Sequence, residues 1–408
     1  MGKSREMNTD KFFDAIGLDP DDRAGVLSFS KRSGVPTNRL RYYNENNILP
    51  TGNDLSSVLS CAEITAVILS LKMGLIDTDL LRAIQQNSEA IEKIIDYKEP
   101  VRKGTDPKLE YTTKLGKLYQ SDCLDLMREM DNESVDLIFA DPPFNLKKLY
   151  PSEIDDNLKE SQYLEWCEKW IMECARVLKH GGAFYSWNLP KWNTICSNML
   201  NSRLKFMHWI AVDIKYTLPI QSRFYPSHYS LLYFIKGTKA NTFSPDRLPM
   251  QTCPKCFGDL KDYGGYKNKM NPLGVNISDV WIDIHPVRHA KYKRRGANEL
   301  PLKLLDRVIE TSTKEGDIVF DPFGGSGTTY MAAELKNRKW IGSEIGPLDD
   351  IVKRFSDIDT ERELLNKHRE NINVLFTERV YKNRVKKGLW TCDSVAEAAP
   401  ALYQDTLL

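Results

Sequence analysis

The sequence predicts an α/β protein whose mostly parallel central sheet is flanked by helices, with a small helical domain ahead of it. Apolar residues follow helical spacing over 1–105, and from about residue 110 short apolar strands alternate with helices. Such alternation is typical of parallel sheets with helices packed on both faces. Two of the predicted strands also run straight into tight polar loops. We therefore expect a helical domain over 1–105, an α/β domain over 106–375 and a C-terminal extension over 376–408.

The composition indicates a folded, cytoplasmic protein that does not enter a membrane. Hydrophobic residues make up 41% of the 408 residues and charged residues 28%, which allows a sizeable core. No apolar run approaches the roughly 18 residues of a membrane span, and the N-terminus lacks the apolar core of a signal peptide. The eight cysteines are scattered, as in reduced compartments. A net charge of +1 restricts any nucleic-acid surface to a local patch.

The N-terminal domain is predicted to contain several short helices. Residues 26–35 have helix-turn character, and Pro36 suits the first turn of a second helix that continues to Tyr43. A longer helix is expected from residue 61 to residue 73. Four of its residues are spaced for one buried face: Ile64, Val67, Ile68 and Leu71. Residues 98–107 combine charge, glycine and two prolines, which indicates a linker.

The domain that begins at residue 106 is predicted to alternate strands and helices. Strands are expected at 117–120, 135–140, 183–187, 229–235, 317–320 and 340–344, and helices at 123–130, 163–178, 302–309 and 330–335. The second of these helices is expected to stop at Gly181-Gly182, because glycine commonly ends helices.

The first polar loop is Asp141-Pro142-Pro143-Phe144, directly after the apolar run 135–140. Its residues suit the exocyclic amine of a nucleobase, a poor nucleophile because its lone pair is delocalised into the ring. Asp141 and the backbone carbonyl of Pro142 can accept the two amine hydrogens, which frees that lone pair. Phe144 offers a flat face to an extruded base, and attack on a sulfonium methyl group then needs only alignment. A strand-ending Asp-Pro turn with no chemistry is the alternative.

The second polar loop runs from Asp321 to Thr329, between a strand and a helix. Its glycines allow positive φ angles and a close approach of the backbone to a ligand. It matches neither the phosphate loop nor the Gly-x-Gly-x-x-Gly fingerprint. Glu344 ends the next strand, where an acidic side chain accepts hydrogen bonds from ribose hydroxyls. A purely structural turn is the alternative.

Together, the two loops make residues 112–375 resemble the catalytic domain of DNA amino-methyltransferases that use S-adenosylmethionine. The order of the loops resembles the permuted β class, in which the amine-binding motif precedes the cofactor motif. The resemblance implies a Rossmann-like fold and catalytic roles for Asp141, Pro142, Pro143 and Phe144. It implies cofactor contacts for Asp122, Cys123, Asn298, Asp321, Phe323, Gly324, Gly325, Ser326, Gly327, Thr328 and Glu344.

The resemblance also implies a function, namely methyl transfer to adenine N6 within a short sequence of double-stranded DNA. The expected setting is a restriction-modification or phage-defence system, with a cognate restriction endonuclease and a second copy of the chain as further candidate partners. Asp141 favours adenine, because cytosine-directed relatives usually carry Ser-Pro-Pro, and cytosine N4 is the alternative. An RNA methyltransferase and an inactive DNA-binding regulator are further alternatives. The chain has Leu300-Pro301 where family members often have Lys-Pro, so no lysine contact is carried over.

The N-terminal residues 30–50 resemble the winged helix-turn-helix of MerR-type regulators. The resemblance implies DNA contacts from a helix that carries Asn38, Arg39 and Arg41. The usual basic wing is missing after Leu49-Pro50. A small helical domain that packs on the enzyme or mediates dimerisation is the alternative.

A target-recognition segment is expected around 240–297. It contains a basic run whose predicted DNA contacts are Arg288, Lys291, Lys293, Arg294 and Arg295, with a solvated loop as the alternative. It also contains Cys253 and Cys256, half of a zinc ribbon that His285 and His289 could complete. We favour a turn with free thiols, and therefore expect no metal.

Overall fold

The computed structural model of the protein describes residues 11–95, 104–146, 158–213, 221–222, 224–261, 271–285 and 299–394. The chain divides into two compact units, residues 1–103 and 104–408. The basic run at 288–295, His289 and Asn298 lie outside the described residues. No single described helix is long and apolar enough to cross a membrane, although two short helices joined by a 93° bend pass that test as a pair, Gly52–Ala62 with Ala66–Met73.

Seven helices form the described part of the N-terminal unit. They are α1 (Lys11–Ala15), α2 (Arg23–Ser33), α3 (Thr37–Asn46), α4 (Gly52–Ala62), α5 (Ala66–Met73), α6 (Thr78–Gln86) and α7 (Ser88–Ile94). Asp22 begins α2 by accepting hydrogen bonds from two backbone N–H groups, and Gly34 ends it in the left-handed conformation. Phe12, Phe29 and Leu40 lie at the centre of the small core that joins these helices.

The predicted single helix over 61–73 is wrong. Helix α4 ends at Ala62, Glu63 adopts a positive φ of 55°, and the Thr65 hydroxyl accepts a hydrogen bond from Ile68 N to begin α5. The new helix buries Leu69 and Met73, while Val67, Ile68 and Leu71 are 50%, 41% and 47% exposed. The threonine cap therefore restarts the helix with a different buried face.

The second unit alternates strands and helices along the chain. Its strands are β1 (Lys108–Thr112), β2 (Gly116–Gln120), β3 (Val135–Ala140), β4 (Leu178–Asn188), β5 (Lys205–Asp213), β6 (His228–Ile235), β7 (Arg247–Leu248), β8 (Val275–Asn276), β9 (Val280–Trp281), β10 (Ile318–Asp321) and β11 (Lys339–Glu344). Its helices are α8 (Cys123–Glu129), α9 (Glu160–Val177), α10 (Pro190–Asn201), α11 (Leu302–Ser312), α12 (Thr328–Leu335), α13 (Asp349–Phe355), α14 (Ile358–Arg369) and α15 (Glu378–Lys386).

Nine of the described strands form one sheet in the order β1-β2-β11-β10-β3-β4-β6-β5-β9. The five strands from β2 to β4 are parallel neighbours, whereas β6 runs antiparallel to both β4 and β5. The carboxyl ends of β2, β11, β10, β3 and β4 therefore share one edge, which we call the carboxyl edge. The predicted α/β class with a mostly parallel sheet is confirmed.

The hydrophobic core lies on both faces of the sheet. Successive side chains of β3 alternate between the two faces, as strand geometry requires. Leu137 and Phe139 pack in a cluster with residues of α11 and α12. Ile138 and Ala140 pack in a second cluster with residues of α8, α9 and α10. Burial on both faces thus explains the continuous apolar run from Leu137 to Ala140.

The expected stop of the long helix at Gly181-Gly182 is wrong. Helix α9 ends at Val177, and β4 begins at the next residue, Leu178, which pairs with Val135. Gly181 lies inside β4 with a φ of 78°, where its N–H donates to the carbonyl of Lys236. The glycine permits an irregularity in the strand, across which the pairing with β3 shifts register.

Candidate active site

The two polar loops leave the carboxyl edge side by side. β3 and β10 are neighbouring parallel strands, with Phe320 opposite Ile138, and the loops follow at Asp141 and Asp321. On the other side of β10, β11 ends at Glu344, which lies opposite Gln120, the last residue of β2. Asp122 follows Gln120 by two positions. Strand order alone therefore brings the Asp-Pro-Pro-Phe loop, the glycine loop, Glu344 and Asp122 to one edge of the sheet.

The Asp-Pro-Pro-Phe loop is held through its backbone carbonyls. The Tyr163 hydroxyl donates to the carbonyl of Pro143 at 2.7 Å, and Trp192 Nε1 donates to the carbonyl of Phe144 at 2.7 Å. The two donor rings lie 4.8 Å apart between centroids. Among the described residues, no donor contacts the carbonyl of Pro142, although the residue is buried. This arrangement leaves the Pro142 carbonyl as an available acceptor.

Aromatic rings surround Phe144. Its side chain is 6% exposed, and its ring lies 5.8 Å from that of Tyr229, which in turn lies 4.9 Å from Trp187. Tyr229 is half-buried and is the second residue of β6. This strand pairs with the carboxyl end of β4. Tyr229, Tyr163 and Trp192 are site residues that the sequence did not predict. Tyr229 lies near the start of a predicted strand, whereas Tyr163 and Trp192 lie in helices α9 and α10, where no local pattern marks them as site residues.

The glycine loop is fixed to β11 by backbone and hydroxyl contacts. Gly324 N donates to the carbonyl of Ser343 at 2.8 Å, and the Tyr330 hydroxyl donates to the carbonyls of Asp321 and Ser343. A Cβ on Gly324 would lie 3.0 Å from the Ser343 carbonyl oxygen, so the close packing of loop and strand requires glycine there. Gly325 and Gly327 both have positive φ angles.

Asp321 is a buried carboxyl group at the start of this loop. It is 3% exposed and accepts a hydrogen bond from Phe323 N at 2.9 Å. Burial is the main reason that the pKa of Asp321 is raised to about 7. The negative charge of Glu344 acts in the same direction, and hydrogen bonds from Thr329 and Phe323 act in the opposite direction. The group therefore titrates near neutral pH.

Glu344 and Asp122 are the two acidic side chains at the ends of neighbouring strands. Glu344 accepts hydrogen bonds from Gly325 N at 2.7 Å and Gly346 N at 2.9 Å. Asp122 caps α8 by accepting from Leu124 N at 2.8 Å. A carboxylate has about four acceptor sites, so both side chains keep capacity for a ligand's hydroxyl or amino groups.

The remaining predicted cofactor residues differ in how they are buried. The Phe323 ring is half-buried against Trp166 and Trp170, at 5.6 and 5.3 Å between centroids. Cys123 has its thiol in the core, where burial raises its pKa well above the usual range. Glycine backbone, a half-buried aromatic ring and two acidic acceptors fit a nucleoside-containing ligand such as S-adenosylmethionine.

Three of the predicted DNA contacts belong to the N-terminal unit. Asn38 and Arg39 are exposed on α3 in the N-terminal unit, and Arg41 is half-buried. Arg39 forms an ion pair with Asp54 at 2.7 Å. These DNA contacts stay predictions.

Cys253 and Cys256 lie in a turn of the second unit. The Cys256 sulfur lies 3.7 Å from an Asp259 carboxylate oxygen. Backbone N–H groups of Cys256 and Lys255 lower the pKa of Cys253. In the part of the chain that the structure describes, no three or more His, Cys, Asp or Glu side chains converge as they would around a metal ion.

Comparison with known proteins gives one consistent family. A family model described as DNA methylase matches residues 135–349. The chain is 49% identical over 368 residues to the type II methyltransferase M.BamHI of Bacillus amyloliquefaciens, covering 89% of this chain and 87% of that protein. It is 33% identical over 248 residues to the type II methyltransferase M.HpaI of Haemophilus parainfluenzae, covering 60% and 73%. It is 32% identical over 260 residues to the DNA adenine methyltransferase YhdJ of Escherichia coli (strain K12), covering 60% and 81%.

Proposed function

This chain belongs to the DNA methylase family, and we propose that it transfers a methyl group from S-adenosylmethionine to an exocyclic base amine in double-stranded DNA. The pairing of β3 with β10 carries the proposal, because it sets the amine-binding loop beside the cofactor loop. The type II methyltransferases among its relatives support a restriction-modification setting with a cognate endonuclease.

The residues of the Asp-Pro-Pro-Phe loop prepare the amine. The Asp141 carboxylate and the Pro142 carbonyl accept its two hydrogens, which localises the nitrogen lone pair for attack. The half-buried ring of Tyr229, packed beside the buried ring of Phe144, offers an aromatic surface to a base flipped out of the duplex. When bound, S-adenosylmethionine would supply an electrophilic methyl group whose bond to sulfur breaks, and the cofactor would leave as the neutral thioether. Asp141 is also placed to take the proton that the nitrogen loses when the new N–C bond forms.

Two exocyclic base amines are candidates for the methyl acceptor. Adenine N6 and cytosine N4 carry the same pair of hydrogens, and both fit the two acceptors. Asp141, where cytosine-directed relatives usually have serine, and similarity to YhdJ favour adenine N6. M.BamHI, which matches over a larger share of the chain, carries no base in its name. Cytosine N4 therefore remains the second candidate.

The experiment is methyl transfer from labelled S-adenosylmethionine to duplex DNA, with RNA as the second acceptor, followed by nucleoside analysis. We expect label in DNA as N6-methyladenine, or as N4-methylcytosine if the second candidate holds. Asp141→Ala should lower turnover by about 10²-fold or more, as expected on loss of a group that acts on the transferred proton. Cofactor affinity should stay within about three-fold, a difference of well under 1 kcal/mol.

The matched control is Asp131→Ala, which removes an exposed carboxylate ahead of β3. Its turnover should equal that of the unmodified chain. Label that enters RNA and not DNA, or normal turnover by Asp141→Ala, would contradict the proposal.

A further inference from the structure

Behind the glycine loop lies a buried arginine that the motifs do not include. Arg354, near the end of α13, is 2% exposed. Its Nη1 donates to Thr328 Oγ1 at 2.6 Å and to the carbonyl of Ser326 at 3.2 Å. One guanidinium group therefore contacts two of the predicted cofactor-loop residues from the side of the protein interior.

Two buried carboxylates fix that guanidinium group. Arg354 Nε lies 2.9 Å from Glu361 Oε1, and Nη1 lies 3.3 Å from Glu299 Oε1. The side chains of all three residues are no more than 4% exposed. Charges removed from water require such pairing, and the planar guanidinium group fixes the geometry of its hydrogen bonds.

The Thr328 hydroxyl links Arg354 to the segment before α11. The Thr328 hydroxyl, which accepts from Arg354, donates to the carbonyl of Leu300 at 3.1 Å. Leu300 precedes α11, the helix that packs against α12. Helix α13 also fills the space behind Gly327, since a Cβ on that glycine would lie 2.7 Å from a methyl carbon of Ile351. The back of the loop is thus held by α13 and by the segment before α11.

We propose that Arg354 is the positioning residue of the cofactor loop. It holds Ser326 and Thr328 so that the loop keeps the backbone conformation that receives the methyl donor, and it contacts neither the base nor the reacting atoms. This inference rests on the proposed function for the identity of the ligand. Its consequence is that loss of Arg354 weakens S-adenosylmethionine binding and leaves the chemistry at the Asp-Pro-Pro-Phe loop intact.

The test compares Arg354→Met and Arg354→Lys in the full chain. Calorimetry gives the dissociation constant of S-adenosylmethionine, and initial rates give kcat and the KM of each substrate. For Arg354→Met we expect about a ten-fold or larger rise in the dissociation constant and KM for S-adenosylmethionine, the factor for loss of one hydrogen bond to a charged group. The KM for DNA and kcat at saturating cofactor should stay within about three-fold. Arg354→Lys should recover part of the affinity, because an ammonium group can still donate to Thr328.

Arg384→Met is the matched control. Arg384 is also fully buried, but it donates to the carbonyls of Phe257 and Trp390 and lies over the rings of Phe376 and Trp390. Its loss should lower the melting temperature without changing cofactor affinity. Glu361→Gln, which keeps the shape but removes one charge from Arg354, covers the case in which Arg354→Met does not fold. Glu361→Gln should raise the cofactor dissociation constant about three-fold, because it weakens one of the ion pairs that hold Arg354 but keeps Arg354 in place.

Unchanged cofactor affinity in a folded Arg354→Met, or in Glu361→Gln if the former does not fold, would overturn the inference. So would an equal loss of affinity in Arg384→Met. If the unmodified chain binds S-adenosylmethionine but transfers no methyl group to DNA, the proposed function fails while the positioning role stands, because its readout is binding.

Discussion

The two loops at the carboxyl edge are held by different kinds of contact. Neutral donors on α9 and α10, Tyr163 and Trp192, fix the Asp-Pro-Pro-Phe loop through its carbonyls. Buried ionisable groups fix the glycine loop, with Asp321 at its start and Arg354 behind it. The Asp-Pro-Pro-Phe loop is thus anchored by uncharged donors, whereas the glycine loop depends on ionisable groups that water does not reach.

This difference has energetic consequences. Removing a neutral anchor leaves one backbone carbonyl without its donor, a cost of about 1–3 kcal/mol when the carbonyl is buried. Removing a buried charge leaves its partners uncompensated, which costs about 3–5 kcal/mol. Changes behind the glycine loop should therefore affect folding and cofactor binding, and changes around the Asp-Pro-Pro-Phe loop should affect turnover.

The largest effect is expected for Gly327→Ala. Its φ of 72° costs a non-glycine residue about 1–3 kcal/mol, and the 2.7 Å approach of Ile351 adds about 1–3 kcal/mol of overpacking. Denaturant unfolding should show both losses, and cofactor affinity should fall with them.

Gly316→Ala is the matched control for Gly327→Ala. Gly316 has a φ of 86°, but a Cβ there would meet no atom within 4 Å. It should lose only the backbone contribution and keep normal cofactor affinity. Equal losses of stability in the two variants would show that α13 does not constrain the loop.

Strand β3 and the convergence of the two loops could be predicted from the sequence. The run 135–140, apolar except for Asp136, predicted β3 with its observed bounds, because a strand buried on both faces needs a largely apolar sequence. The convergence of Asp141, Asp321 and Glu344 followed from parallel strands, whose carboxyl ends meet at one edge. The apolar strands and the motifs that follow them were therefore sufficient to predict the two loops.

The contacts that hold the loops were not predictable in the same way. Tyr163 belongs to an apolar helical stripe, and only tertiary packing brings its hydroxyl to the Pro143 carbonyl. Arg354 lies in a charged stretch that is typical of an exposed helix, yet it is almost fully buried. The break at Glu63 depends on the Thr65 cap, which competes with a continuous apolar pattern. Long-range partners and local caps leave no periodic signal.

An intermediate effect is expected for Tyr163→Phe. The substitution keeps the ring but removes the donor to the Pro143 carbonyl, which should cost about 1–3 kcal/mol of stability. Turnover should fall about ten-fold, because a loop displaced by a fraction of an ångström misaligns the amine. Cofactor affinity should be unchanged. Single-turnover kinetics and calorimetry measure the two quantities.

Tyr185→Phe is the control for Tyr163→Phe. Tyr185 is equally buried, and its hydroxyl lies 2.8 Å from Ser312 Oγ, away from both loops. It should lower stability and leave turnover normal. If Tyr185→Phe and Tyr163→Phe reduced turnover equally, the hydroxyl of Tyr163 would have no specific role at the loop.

The smallest effect is a pH dependence that belongs to the glycine loop. The pKa of Asp321 is raised to about 7 by burial, from about 3.8 in the unfolded chain, so between these values only the folded protein holds the proton. The stability that this proton contributes is present at low pH and is lost as the pH rises through 7. Asp321→Asn has no such proton to lose. From pH 6 to pH 8 its unfolding free energy should therefore rise relative to the unmodified chain by about 1 kcal/mol. Denaturant unfolding of both proteins at each pH measures this difference. A constant difference would mean that the folded protein loses no proton from Asp321 between pH 6 and pH 8, and that burial does not raise its pKa to about 7.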